Sequence, residues 1–273
     1  MHFLIDADSA LYKAGCAGEE RWYEVREGET VVRRIQYKKD AVAFVGEDPC
    51  LLIVPCKDGG PLSHALTNLR TYIDGILGHP ECVTHQLYIG GKGNFRYTVD
   101  PEYKAIRSPL DKPVHIEAMK DYMVKKYKAI RCHGEEADDT VSYLCLENPE
   151  NNCIVSIDKD LRNTPGWHLN PDTGVMNNVS VADADLNFYR QLLMGDATDG
   201  ITGIAGYGKV TAAKALPLAL SVQEMCTVVW SHYTDKGYDD VYFIQQARLL
   251  WMLREKGVMW QPPIDLKETV DEG

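Results

Sequence analysis

The chain has 273 residues, 45% hydrophobic and 25% charged, the make-up of an ordinary globular protein with room for a sizeable core. No run reaches the apolar length of a membrane span, and the opening MHFLIDADSA lacks a basic region followed by an apolar stretch, so we expect a cytoplasmic protein with no membrane partner. The net charge of −11, taken alone, argues against a polyanionic partner, although carboxylates grouped to hold divalent cations are less acidic once loaded.

In chain order, HFLI (2–5) reads as a short apolar strand ending at Asp6, followed by a helix start in SALYKAGCA. Arg21 to Tyr37 holds two β-rich runs around Glu-Gly-Glu and predicts a hairpin. CLLIVPC (50–56) predicts a buried strand. Leu62, Leu66, Leu69 and Ile73 recur at helical spacing, and QLYI (86–89) predicts a second core strand. The stretch 92–115 is basic, aromatic and punctuated by proline, as a mobile segment is. Helices are predicted in IEAMKDYMVKKYKAI, with Ile116, Met119, Met123 and Tyr127 on one face, and in ADDTVSYLCL. CIVSI (153–157) has the continuous apolar character of a parallel strand covered on both faces. LNFYRQLLM, SVQEMCTVVWSHY and YFIQQARLLWMLREK predict helices around a glycine-rich stretch. Strands alternating with helices indicate an α/β fold with a mainly parallel sheet flanked by helices.

The acidic residues are grouped where strands are predicted to end or helices to begin. Asp6 and Asp8 follow the first strand, Glu136, Asp138 and Asp139 open a helix, Asp158 and Asp160 follow CIVSI, and Asp196 and Asp199 precede the glycine-rich stretch. Singly, each reads as a turn, a cap or helix-dipole charge. Together, four groups delivered to the carboxyl rim of one sheet would repel strongly without cations, and all-oxygen sites suit Mg2+ or Mn2+. The eight cysteines are scattered without C-x-x-C pairs or a histidine cluster, which excludes a zinc site of the usual spacing.

Two other devices are suggested by short motifs. Gly203, Gly208 and Lys209 stand at phosphate-loop spacing, but Val210 lacks the hydroxyl that would meet magnesium, and the preceding segment is a helix rather than a strand. IDADS evokes an aspartyl-phosphate phosphatase with Asp6 as nucleophile, but Ala10 is not the expected residue and the glycine-rich stretch would have no role.

The ordered set LIDADSALYKA, FRYTVDPEYKAIR, GEEADD, SIDKDL and GDATDGITGIAGYG resembles the 5′ nuclease (flap endonuclease) superfamily, and most of all the 5′→3′ exonucleases of bacteriophages. The resemblance covers about residues 1–216 in motif order. It implies a PIN-like α/β core over 1–194, carrying a variable insertion at about 18–60 and a helical arch at about 92–130. A helix–two-turn–helix and C-terminal helical region over 195–273 would complete the chain. It implies metal ligands at Asp6, Glu136, Asp138, Asp139, Asp158, Asp160, Asp196 and Asp199, holding two Mg2+ or Mn2+ ions about 4 Å apart. It implies catalytic roles for Lys104, Arg107, Asp6 and Asp158. DNA contacts are implied for Arg96, Tyr103, Lys104, Arg107, Gly203, Gly206, Gly208, Lys209, Thr211 and Lys214, with K+ at the two-turn element; Phe95 reads as a core residue.

One departure from the superfamily is visible: Gly90 and Gly91 stand where a further carboxylate is usual, and Asp8 is expected to compensate. The implied activity is a 5′→3′ DNA exonuclease on duplex ends or flaps, extending to RNA–DNA hybrids, in a monomer acting in the host cytoplasm during phage replication or recombination. A flap endonuclease, an aspartyl-phosphate phosphatase and a DNA-binding module with a decayed site are the alternatives.

Overall fold

The computed structural model describes residues 1–108, 111–217 and 220–267. The elements run β1 (His2–Asp6), α1 (Asp8–Cys16), β2 (Glu20–Glu27), β3 (Thr30–Ile35), α2 (Lys38–Val45), β4 (Leu51–Asp58) and α3 (Leu62–Leu77). There follow β5 (Thr84–Gly90), α4 (Arg96–Val99), α5 (Ile116–Tyr127), β6 (Ile130–Cys132), α6 (Ala137–Glu147) and β7 (Asn152–Val155). After a short 3-10 turn (Asp160–Asn163) come β8 (Gly166–Asn170), β9 (Val175–Val179), α7 (Val181–Met194), α8 (Lys209–Ala215), α9 (Val222–Thr234) and α10 (Asp240–Leu250).

The chain forms two units. One comprises Met1–Ser9, His79–Arg107 and the chain from Lys128 on, and the other Ala10–Gly78 with Ser108–Tyr127. In the first, a six-stranded sheet runs β6-β5-β1-β7-β8-β9, parallel except for β9, which pairs antiparallel with β8 at one edge. Phe3, Leu4 and Ile5 are all buried, as a parallel strand covered on both faces requires. Winding proceeds outward from β1 in one direction and resumes beyond it at β7, so the carboxyl ends of β1 and β7 flank the switch point where such sheets bind ligands. Val141 and Cys145 of α6 pack on Leu4, Tyr88 and Ile154 of the sheet. A second cluster joins α7, α9 and α10 through Phe188, Leu192, Val229, Tyr233 and Phe243.

In the second unit β2 pairs antiparallel with both β3 and β4, and the hairpin turns at Gly28, whose φ of 58° suits glycine. The apolar run expected as a core strand is β4 of this small sheet; Leu52 is 60% exposed, because an antiparallel sheet can leave one face open. In α3 the buried residues are Ala65, Leu69, Ile73 and Ile76, one turn displaced from the predicted set at its amino end.

Four short elements, α2, β6, β8 and β9, escape the sequence periodicity. The last helix also ends earlier than YFIQQARLLWMLREK predicts. It stops at Leu250 because the carbonyls of Leu249 and Trp251 accept from the Arg96 guanidinium, and the Leu253 N–H donates to Asp139. Among the described residues no helix is long and apolar enough to cross a membrane.

Candidate active site

All four acid groups belong to the first unit and meet at the carboxyl ends of its parallel strands. Asp6 ends β1, where its carboxylate accepts from the Asp8 N–H at 3.2 Å and the Ser156 hydroxyl at 2.9 Å. The same Ser156 oxygen accepts from the Asp158 N–H at 3.0 Å, so one hydroxyl ties the β1 acid to the β7 acid. Asp158 in turn accepts from the Asp160 N–H at 2.9 Å, which closes the turn that opens the 3-10 segment. Glu136 caps α6, placing Asp138 and Asp139 in its first turn, and ligand oxygens of the three lie within 4.8 Å of one another. Asp196 and Asp199 sit in the turn after α7, where Thr198 N–H donates to Asp196 at 2.8 Å.

A cleft of about 130 Å³ is lined by Glu136, Asp138, Asp158, Asp160, Asp196 and Asp199 together with Lys104, Arg107 and Lys159, six carboxylates against three cations. Lys104 reaches Glu136 at 2.5 Å and Asp199 at 3.5 Å, Arg107 pairs with Asp199, and Lys159 meets Asp196 at 3.2 Å. The excess of negative charge shifts the carboxyls of the site. Burial, then the charges of Asp8 and Asp158, push the Asp6 carboxyl up to about 7. Burial and Asp158 push Asp160 up to about 6. Asp138 is raised by burial and by Glu136 and Asp139. Asp196 moves the other way: burial raises it, but the Thr198 N–H and Lys159 outweigh burial and hold it below the usual range. Burial works against the Lys104 ammonium, yet Glu136 and Asp199 raise its pKa. Hard oxygen donors carrying more charge than their lysines neutralise fit a divalent cation.

Several residues picked out by sequence sit elsewhere. Arg96, expected on DNA, is 0% exposed. It donates to both oxygens of Asp139, at 2.5 and 2.9 Å, and to the carbonyls of Leu249 and Trp251 at 2.8 and 2.7 Å. A fully buried guanidinium with four of its five N–H donors spent in the core cannot reach a phosphate, so that placement is corrected. The same contacts, with the N–H groups of Glu136 and Leu253, occupy Asp139, which is a buried counter-ion more than a free ligand. Tyr103 is buried as well, its hydroxyl donating to Asp199 at 3.1 Å and Glu136 at 3.3 Å, and it cannot offer a ring face to a base. Lys104 and Arg107 do share the cleft, but through a run of turns and not through a helix; Lys104 has a φ of 59°, and its N–H donates to the Asp199 carbonyl at 3.0 Å. The segment expected to be mobile is thus anchored at Arg96 and Lys104. Phe95 is half-buried, with the Arg96 guanidinium 4.7 Å from its ring centre.

Asp8 accepts from the Gly90 N–H through both oxygens, at 2.9 and 3.0 Å. A Cβ on Gly90 would lie 2.8 Å from the Asp8 carboxylate, and one on Gly91 2.0 Å from the Cys132 carbonyl. The place of a β5 carboxylate is therefore filled by Asp8 on one side and closed by β6 on the other.

In the glycine-rich stretch, Gly203 is buried, its N–H donates to Gln246, and an added Cβ would meet the Gly195 nitrogen at 2.3 Å. It is glycine for that close backbone crossing, not for approach to DNA. Gly206 and Gly208 face open space, and Lys209, Thr211 and Lys214 are exposed on α8. Ser156, Lys159 and Gln191 are site residues that sequence reasoning missed. Lys159 was signalled only by its place between two aspartates.

No family model matches the chain. It is similar to the flap endonuclease of bacteriophage T5, solved in complex with DNA and metal ions, with a TM-score of 0.51, 14% identity, and coverage of 68% of this chain and 80% of that one. A second T5 structure, crystallised with metal ions, has a TM-score of 0.50 at 15% identity and covers 91% of this chain and 88% of that one. The chain has the 5′ nuclease fold. Its acid groups lie where that fold's parallel sheet ends. In sequence it is 34% identical over 118 residues to the exonuclease of Escherichia phage T7, covering 40% of this chain and 39% of the relative. It is 33% identical over 120 residues to the exodeoxyribonuclease of Enterobacteria phage T3, with the same coverages. The matches thus span about two-fifths of the length of these relatives.

Proposed function

We propose that the chain is a metal-dependent 5′→3′ DNA exonuclease that hydrolyses phosphodiester bonds. The observation that carries this is the convergence of three acid groups, from three separate stretches, on one cleft that Lys104 and Arg107 also line, with Asp6 tied to the Asp158 group through Ser156. Asp6, Glu136, Asp138, Asp158, Asp160, Asp196 and Asp199 would hold two Mg2+ or Mn2+ ions, with Asp8 beside Asp6. Divalent ions held there would supply Lewis acidity and activate water at neutral pH.

The chain's own residues do the rest. The Ser156 hydroxyl holds the Asp6 and Asp158 groups in register. Lys104 and Arg107, now paired with Glu136 and Asp199, are the cations placed to exchange those partners for the phosphate of a bound strand. Lys209, Thr211 and Lys214 on α8, with the open backbone at Gly206 and Gly208, would grip the duplex backbone, where a K+ ion would sit at the turn. Recognition would then be backbone-directed and would extend to RNA–DNA hybrids. We place the chain as a monomer in the host cytoplasm, acting in phage replication or recombination.

Cleavage of 5′- and 3′-labelled duplex with Mg2+ tests the reading. Release should begin at the 5′ end alone and vanish with EDTA and in Asp158→Ala. Release from 3′ ends, or hydrolysis of small phosphate monoesters instead, would overturn it. The likeness to the T5 flap endonuclease favours a second reading, structure-specific flap cleavage; a 5′-blocked flap cut at its junction would select it.

A further inference from the structure

Two buried amides lie beside the cleft. Gln191 is on the buried face of α7 next to Leu192 and Leu193, and Asn163 ends the Asp160–Asn163 turn with 2% exposure. A buried amide is costly unless its donors and acceptors are met, and here the two side chains meet each other and a site carboxylate. Asn163 Nδ2 donates to Gln191 Oε1 at 2.6 Å and Gln191 Nε2 donates to Asp160 Oδ1 at 2.9 Å, while Arg254 separately donates to the backbone carbonyl of Asn163 at 3.0 Å. Because Asn163 occupies the oxygen of Gln191, the NH2 end can only face the carboxylate.

Residue 191 also stands in the last turn of α7, just before the neighbouring acid group. Its carbonyl accepts from the Gly195 N–H at 2.7 Å, one residue before Asp196. The Gln191 side chain therefore ties Asp160, which follows β7, to the last turn of α7, which leads into the Asp196 turn.

We propose that Gln191 is a positioning residue that sets the separation of the Asp158–Asp160 and Asp196–Asp199 groups, and with it the affinity of the divalent ion they share. This rests on the metal-dependent reading above. Ions held by correctly oriented ligands lose about 10- to 100-fold in affinity when the supporting hydrogen bond is removed.

The test is a Mn2+ titration of the full chain without DNA, followed by electron paramagnetic resonance, for wild type, Gln191→Met and Asp160→Asn, alone and combined. Met preserves length and removes both the Nε2 donor to Asp160 and the Oε1 acceptor of Asn163. Gln191→Met should weaken one class of Mn2+ site about 10- to 100-fold, leave the other unchanged, and add nothing in the Asp160→Asn background. Asn163→Asp, which draws the Gln191 NH2 away from Asp160, should give the same selective loss and carries the test if Gln191→Met does not fold. Wild-type Mn2+ affinity in these variants, or an equal loss of both classes, overturns the positioning role while leaving the metal-dependent reading in place. A wild-type chain that binds no Mn2+ overturns both.

Discussion

Arg96→Met isolates the largest electrostatic commitment in the first unit. The guanidinium and its partner Asp139 are both 0% exposed, and four hydrogen bonds leave Arg96: two to Asp139 and two to the carbonyls of Leu249 and Trp251. Methionine keeps most of the apolar stem but leaves the Asp139 carboxylate buried with only backbone donors and the two carbonyls without a partner. Removing one member of a buried pair costs about 3–5 kcal/mol, against a total stability of about 5–15 kcal/mol for a native domain. Equilibrium unfolding in urea should therefore show a loss of about 3–5 kcal/mol in Arg96→Met. Arg96→Met combined with Asp139→Leu should recover much of it, since no lone charge remains. A loss under about 1 kcal/mol, or a stable Arg96→Met protein whose defect is confined to DNA binding, would refute the assignment of Arg96 to the core.

The raised carboxyls predict the pH response of the metal-free chain. In the unfolded state Asp6 and Asp160 lose their protons near 3.9, whereas the folded chain keeps them to about 7 and about 6, so stability falls as pH rises across that window. Saturating Mg2+ should oppose the fall, and calorimetry should record more protons released on binding at pH 6 than at pH 8; the reverse order would refute the shifts. Gly203→Ala drives a Cβ to 2.3 Å from the Gly195 nitrogen at a φ of 58°, and a thermal melt should show it among the most destabilising small substitutions. Lys209→Ala with Lys214→Ala should lower DNA affinity without altering metal binding, reducing the slope of log K against log salt by about 1 per lost phosphate contact. Asp8→Asn keeps an acceptor for the Gly90 N–H and removes a charge beside Asp6; metal-dependent cleavage should drop strongly, and near-native activity would show that Asp8 only shapes the turn.

The parallel core was legible because each of its strands is a contiguous apolar run: HFLI, QLYI and CIVSI needed no partner to be recognised. The acid groups were legible as punctuation at the ends of those runs. The short elements β6, β8 and β9 were not, since three to five residues carry too little periodicity to separate a strand from a turn. The basic segment 96–107 misled, because composition reports how many cations are present and not which of them face solvent.

The sequence by itself determined that a parallel sheet would deliver carboxylates to one rim, since local patterning decides strand, helix and the order of acidic residues along the chain. Only the tertiary structure decided how those charges are used. Arg96 finds Asp139 across 43 residues and Leu249 across 153. Ser156 joins Asp6 across 150, and Gln191 meets Asp160 across 31. Long-range pairing of this kind follows from desolvation: once folding removes water from a charge or an amide, that group must take whatever partner the packed elements bring to it.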